Sequence, residues 1–157
     1  MKYGQKYIRL IKHLFTSERQ ARRHFPKRVT DSIEAAIAQL QATHCGRLLF
    51  IVEATLQPRD VLNGQTPRER ALQLFSELRV WDTAHNNGIL VYVLLADRAI
   101  EIVADRAIHA RSGDTAWERI IGEMQTTFAT GRHEEGAHRG IAALAEELQQ
   151  HFPMSDR

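Results

Sequence analysis

Apolar residues recur every three or four positions along most of this chain, and three short runs break that rhythm. Leu48–Ala54 (LLFIVEA) and Ile89–Leu95 (ILVYVLL) are almost wholly apolar, as expected of strands covered on both faces. Ala99–Val103 (AIEIV) alternates, which puts Glu101 on the opposite face from Ile100 and Ile102. The rest reads as helices. Tyr3, Tyr7, Ile8, Leu10, Ile11, Leu14 and Phe15 form an apolar stripe with Lys6, Arg9, Lys12 and His13 between. Thr16 or Ser17 caps a second short helix through Arg22 to His24, which Pro26 ends. A third is expected behind Thr30 or Asp31 as N-cap, Glu34 standing at capping-box distance and Ile33, Ala36, Ile37 and Leu40 facing inward. Gln57–Gln65 reads as a loop, and Thr66-Pro67 opens a helix extending to Ala84, before Asn87-Gly88 stops it. Asp114 is expected to cap a helix carrying Trp117, Ile120, Ile121, Met124 and Phe128, ended by Gly131. The last helix starts near Glu134, turns Ile141, Leu144 and Leu148 inward and stops before Pro153.

The linkers decide the topology. The helix between the first two strands is long enough for a parallel, right-handed crossover. Ala96-Asp97-Arg98 is so short that the second and third strands must form an antiparallel hairpin. The expectation is an α/β fold, a three-layer α/β/α sandwich around a small mixed sheet.

With 157 residues, 43% of them hydrophobic, the chain suits one domain with a sizeable core. Its single cysteine, Cys45, excludes an internal disulfide. There is no apolar run of signal-peptide or membrane-span length, so a cytoplasmic protein is expected, with a peripheral place at the inner membrane as an option. Charge is unevenly spread. Residues 1–28 hold nine Lys or Arg against one acid, a net +8, while the remainder holds twelve cations and eighteen acids, a net −6. This divides the chain into a basic amphipathic arm (1–28), a domain (29–153) and a tail (154–157).

Residues 79–107 read RVWDTAHNNGILVYVLLADRAIEIVADRA. Trp81-Asp82, Asn86-Asn87-Gly88, the strand pair joined at Asp97-Arg98, Glu101 and Asp105-Arg106 resemble, in that order, the central signature of the TPM domain family in its short, soluble bacterial form. Pro67-Arg68-Glu69-Arg70-Ala71 and Gly136 with Gly140 extend the resemblance over about 30–153. It implies an α/β/α sandwich and a link to divalent-cation binding, membrane-associated processes and, in photosynthetic relatives, phosphatase activity. Ala107 departs from the pattern, which usually has glycine there. If that position needs positive φ, alanine is strained and any ligand contact to its backbone is weakened.

Candidate chemistry gathers at one sheet end. The start of the second strand and the end of its hairpin partner lie side by side, so Asp82, Asn86, Asn87 and Asp105 are expected to meet there, with Asp97 at the other end. Such hard oxygen donors suit Ca²⁺ or Mg²⁺ rather than zinc, although nothing in the chain requires a cofactor. The plain alternative is that these residues cap turns or pair with Arg106 or Arg79. His109 and Arg106 are possible accessory groups. His133, Glu134, Glu135 and His138 lack zinc-site spacing, and no nucleophile motif or phosphate loop is present. For the arm, Lys6, Arg9, Lys12, Arg22 and Arg23 are candidate contacts to an anionic membrane surface or other anion. Packing on the acidic body, within the protein or in a neighbouring subunit, is the reading favoured over both, and nucleic acid is the weakest. The residues read best as a non-catalytic binding module for a protein partner or the inner membrane face, with a divalent cation as an optional ligand. Metal-assisted hydrolysis of phosphomonoesters by Asp82 and Asp105 is the alternative.

Overall fold

The structure is a computed structural model that describes residues 3–155, so Lys2 of the arm and the last two residues of the tail lie outside the described residues. The elements run α1 (Tyr3–Phe15), α2 (Glu18–His24), α3 (Lys27–Leu40), β1 (Arg47–Glu53), α4 (Pro58–Leu62), α5 (Pro67–Glu77), β2 (Gly88–Leu94), β3 (Ala99–Ala104), α6 (Arg106–Ser112), α7 (Asp114–Ala129) and α8 (His133–His151). The sheet has the order β1-β2-β3. β1 and β2 are parallel with Arg47 opposite Gly88, and β2 and β3 are antiparallel with Ile89 opposite Ala104. This is the expected α/β sandwich with a mixed three-stranded sheet.

Every residue of β2 is buried, because the strand is central and covered on both sides. Ile89, Val91 and Val93 face a core built with Val29 and Ile33 of α3, Ile108 of α6, Trp117 and Met124 of α7, and Leu144 of α8. Leu90, Tyr92 and Leu94 face a second core with Val61 of α4, Ala71 and Leu74 of α5, and Val80. The alternation is therefore real but invisible in composition, since both faces demand apolar side chains. α7 and α8 pack closely through glycines. A Cβ at Gly136 would lie 2.7 Å from the Phe128 ring, and one at Gly140 would overlap the Met124 sulfur.

Several expected boundaries are corrected. α3 begins at Lys27, behind Pro26, and not at Thr30 or Asp31. Proline's fixed φ starts the helix early, and Asp31 lies one turn inside it, bound to Lys27 at 2.7 Å. The 57–65 loop contains α4, with Pro58 in its first turn and Val61 fully buried. α5 stops at Glu77 rather than Ala84. There Arg79 takes φ 52°, its N–H bonds to Ser76 O at 3.1 Å, and Val80 N–H bonds back to Phe75 O at 3.0 Å. That is a Schellman stop with arginine where glycine is usual, and Val80 and Phe75 share the same apolar cluster. α6 was not anticipated. Asp114 is the first residue of α7, and Gly113 at φ 77° stands in the capping position instead.

Candidate functional site

The polar end of the sheet is knit by backbone. Asp105 N–H donates to Gly88 O at 2.8 Å, extending the β2–β3 ladder, and Ala107 N–H donates to Asn86 O at 3.1 Å. Gly88 is required because a Cβ there would overlap the Val80 carbonyl. Asn86 adopts φ 51°, a left-handed conformation that asparagine tolerates. The positive φ thus falls on Asn86. Ala107 sits in the first turn of α6 without positive φ, so the expected strain at that alanine is corrected.

Asn87 and Asp105 each leave an oxygen unanswered. Asn87 is fully buried, its N–H donates to Thr83 Oγ1 at 3.1 Å, and its side-chain amide leans on Cys45 Sγ at 3.7 Å. Asp105 caps α6, its Oδ1 accepting from Arg106 N–H at 2.7 Å. Asn87 Oδ1 and Asp105 Oδ2 are buried with no partner among the described residues. Asn87 adjoins Gly88, which is bonded to Asp105, so by strand alternation Asn87 turns to the face of Ile89 and Asp105 to the opposite face, that of Val80.

The other expected residues are spread around this edge. Asp82 is exposed and pairs with Arg79 at 3.6 Å. Arg106 is exposed at the start of α6. His109, one turn on, accepts from Trp117 Nε1 at 3.0 Å through Nδ1 and lies 3.7 Å from Asp114, so α7 engages it. His133 and His138 fall within α8, and His138 Nε2 meets Ser32 Oγ at 3.0 Å. No group of three or more His, Cys, Asp or Glu among the described residues is arranged to hold a metal.

At the opposite end of the sheet the β2–β3 turn grips the arm. Asp97 accepts from Arg9 Nη2 at 2.7 Å and Arg9 Nε at 3.1 Å, and meets His13 Nε2 at 3.0 Å. His13 is buried, and its Nδ1 accepts from Leu56 N–H at 3.0 Å, which places the ring hydrogen on Nε2 facing Asp97. Burial pushes the Asp97 carboxyl up, but hydrogen bonds from Arg9 and then His13, with the nearby positive charge, outweigh it and hold the carboxyl below its ordinary value. Arg9 thus meets its anion inside the chain. Lys12, Arg22 and Arg23 are exposed and Lys6 is half-buried.

The TPM domain model matches residues 23–147. The chain belongs to the TPM domain family. Among solved structures, the NMR structure of BA42 protein from the psychrophilic bacterium Bizionia argentinensis sp. nov. is similar at TM-score 0.68 and 23% identity, covering 82% of this chain and 83% of that one. At that identity it is the fold that is shared. No curated protein matches the chain.

Within this TPM domain, two further polar groupings escaped sequence reasoning. On the α5 side of the sheet, Arg70 binds Glu53 at 2.7 Å and the buried Tyr92 hydroxyl donates to the same carboxylate at 3.3 Å. Burial, and next the Glu53 charge, raise the Tyr92 phenol strongly. Between α2, α3 and α8 a recess of about 490 Å³ is lined by Arg23, His24, Arg28, Arg132 and His133 together with Glu134 and Glu135. Glu134 answers Arg28 and Glu135 answers Arg132, each at 3.1 Å. His133 is lowered by burial and by the His24 charge, with the two rings 4.2 Å apart. The clasp on Asp97 did leave a signal, since Arg9 and His13 are spaced to share one helix face.

Proposed function

We propose that this TPM domain is a non-catalytic binding module, acting on the cytoplasmic side on a protein partner or the inner membrane face, and that its Asn87–Asp105 edge takes a divalent cation. The observation behind the cation is the buried, unanswered Oδ2 of Asp105 at the polar end of the sheet, with a second unanswered oxygen, Asn87 Oδ1, on the other face of the same edge. Buried acceptors of this kind are normally satisfied by water or an ion. A carboxylate oxygen is a hard donor, and a single side-chain ligand with a water-completed shell suits Mg²⁺ best, with Ca²⁺ next. Asp105 supplies the charge.

Phosphomonoester hydrolysis asks more of the site. It needs Asp82 and Asp105 to hold the metal together, yet Asp82 is exposed and paired with Arg79. This favours binding over turnover.

Titration of the protein with Mg²⁺ and Ca²⁺, followed by calorimetry and amide chemical shifts, tests the reading. Shifts centred on Asn87, Gly88 and Arg106 that Asp105→Asn abolishes are expected. Silence of the wild type with both ions sinks the cation. Metal-dependent turnover of p-nitrophenyl phosphate, lost in both Asp82→Asn and Asp105→Asn, would replace the binding module with the phosphatase.

A further inference from the structure

Helix α1 is mounted with its apolar side outward. An amphipathic helix that serves only to complete a core turns its apolar stripe inward. Here the inward residues are Arg9, Leu10 and His13, held by Asp97 and the Leu56 amide. Tyr7, Ile8, Ile11, Leu14 and Phe15 point away, exposed at 59%, 58%, 52%, 60% and 79%. At about 100° per residue these five share one face, nearly half a turn from Arg9 and His13. The polar clasp thus fixes the direction in which the apolar face looks.

The charges that accompany that face in the arm select its occupant. Lys12 borders it, and α2, which follows directly after Phe15, brings Arg19, Arg22 and Arg23. None of these four cations makes an ion pair among the described residues. An apolar face bordered by Lys12 and followed in sequence by the exposed cations of α2, with Glu18 the one acid in the arm, matches the boundary between anionic headgroups and acyl chains. A second copy of the chain would press like charges together, and nucleic-acid phosphate offers nothing to Ile8, Ile11, Leu14 and Phe15. We infer that the outward face of α1, with the cations of α2, docks this protein on an anionic lipid surface. The face lies ahead of residues 23–147, so it is a property of this chain beyond the matched domain.

This docking names the partner of the binding module proposed above, and it sits at the opposite sheet end from Asn87 and Asp105. Vesicle binding measured in EDTA can therefore fail while the cation titration succeeds, or the reverse. The full-length protein is sedimented with phosphatidylcholine vesicles, with and without about one third phosphatidylglycerol. Binding to the anionic vesicles alone, weakened by salt, is expected. The double variant Ile11→Asp/Phe15→Asp should lose roughly tenfold or more of that binding, since two side chains no longer enter the interface. Both positions are exposed, so its thermal unfolding should match wild type. Lys12→Glu/Arg22→Glu should also bind less. Absence of wild-type binding to anionic vesicles overturns the inference, as does equal binding by the Ile11→Asp/Phe15→Asp variant. A concentration-dependent dimer that this variant dissolves would do the same, by assigning the face to a second copy.

Discussion

Replacing Asp97 with asparagine removes the negative charge that holds Arg9 and His13 of α1. Arg9 and Asp97 are each only 14% exposed in their side chains, and the guanidinium reaches the carboxylate through two nitrogens. Exposed pairs contribute about 0–1 kcal/mol, whereas breaking a fully buried pair costs about 3–5 kcal/mol. This pair lies between, so Asp97→Asn should weaken docking by about 2 kcal/mol. The amide of Leu56 gives a local readout, because its hydrogen is bonded to His13 Nδ1 only while α1 is docked. Native-state hydrogen exchange should speed up at Leu56 by roughly thirtyfold, while amides in the middle of β2 keep their protection. The wild-type clasp should also depend on pH. A carboxyl held below its ordinary value contributes fully above the unfolded carboxylate range, and that contribution fades as pH falls through the folded value. Leu56 exchange, corrected for its intrinsic pH dependence, should therefore rise on acidification in wild type and change less in Asp97→Asn. Unchanged Leu56 protection in the variant at neutral pH would refute the clasp as what orients α1.

Other substitutions probe the frame around the site. Gly88→Ala should destabilise by about 3 kcal/mol in denaturant titration, because its methyl group meets the Val80 backbone in a packed interior. A wild-type-like midpoint would mean that the Val80 turn yields easily. Arg79→Gly should do the opposite, raising stability by about 0.5–1 kcal/mol by relieving a left-handed arginine at the end of α5. A loss in that variant would show that the guanidinium matters more than the φ angle. Tyr92 should resist ionisation beyond ordinary tyrosine pH, so stability should decline as pH climbs past about 10. Its phenolate absorbance should then appear together with the loss of circular dichroism, and an earlier appearance would contradict its burial.

The sheet was legible because each strand announces itself locally. Central β2 is an unbroken apolar run bounded by Gly88, and the short Ala96–Arg98 link allows only a hairpin. The family string at 79–107 pointed to the same fold, and the sheet end holding Asn87 and Asp105 followed from strand direction alone. Helix ends were harder to read. Pro26 and Arg79 act through backbone dihedrals that residue type only suggests, and an arginine in a glycine position gives no warning. α6 was hidden because its seven residues carry little apolar periodicity and are anchored by Asp105, which reads equally well as a ligand.

By itself, then, the sequence determined the layers, the strand order and the polar end of the sheet, since these follow from periodicity and linker length. Tertiary structure alone decided which side chains were left unanswered at that end and which way the arm faces. Asn87 and Asp82 are both polar residues beside the same strand, yet one is sealed under Cys45 while the other reaches solvent and Arg79. The apolar stripe of α1 would pack inward on its own preference. One carboxylate in a distant turn, Asp97, and one backbone N–H, Leu56, bind the opposite side of the helix and turn that stripe outward. Such a choice is set by contacts between residues more than forty positions apart, and no local pattern records them.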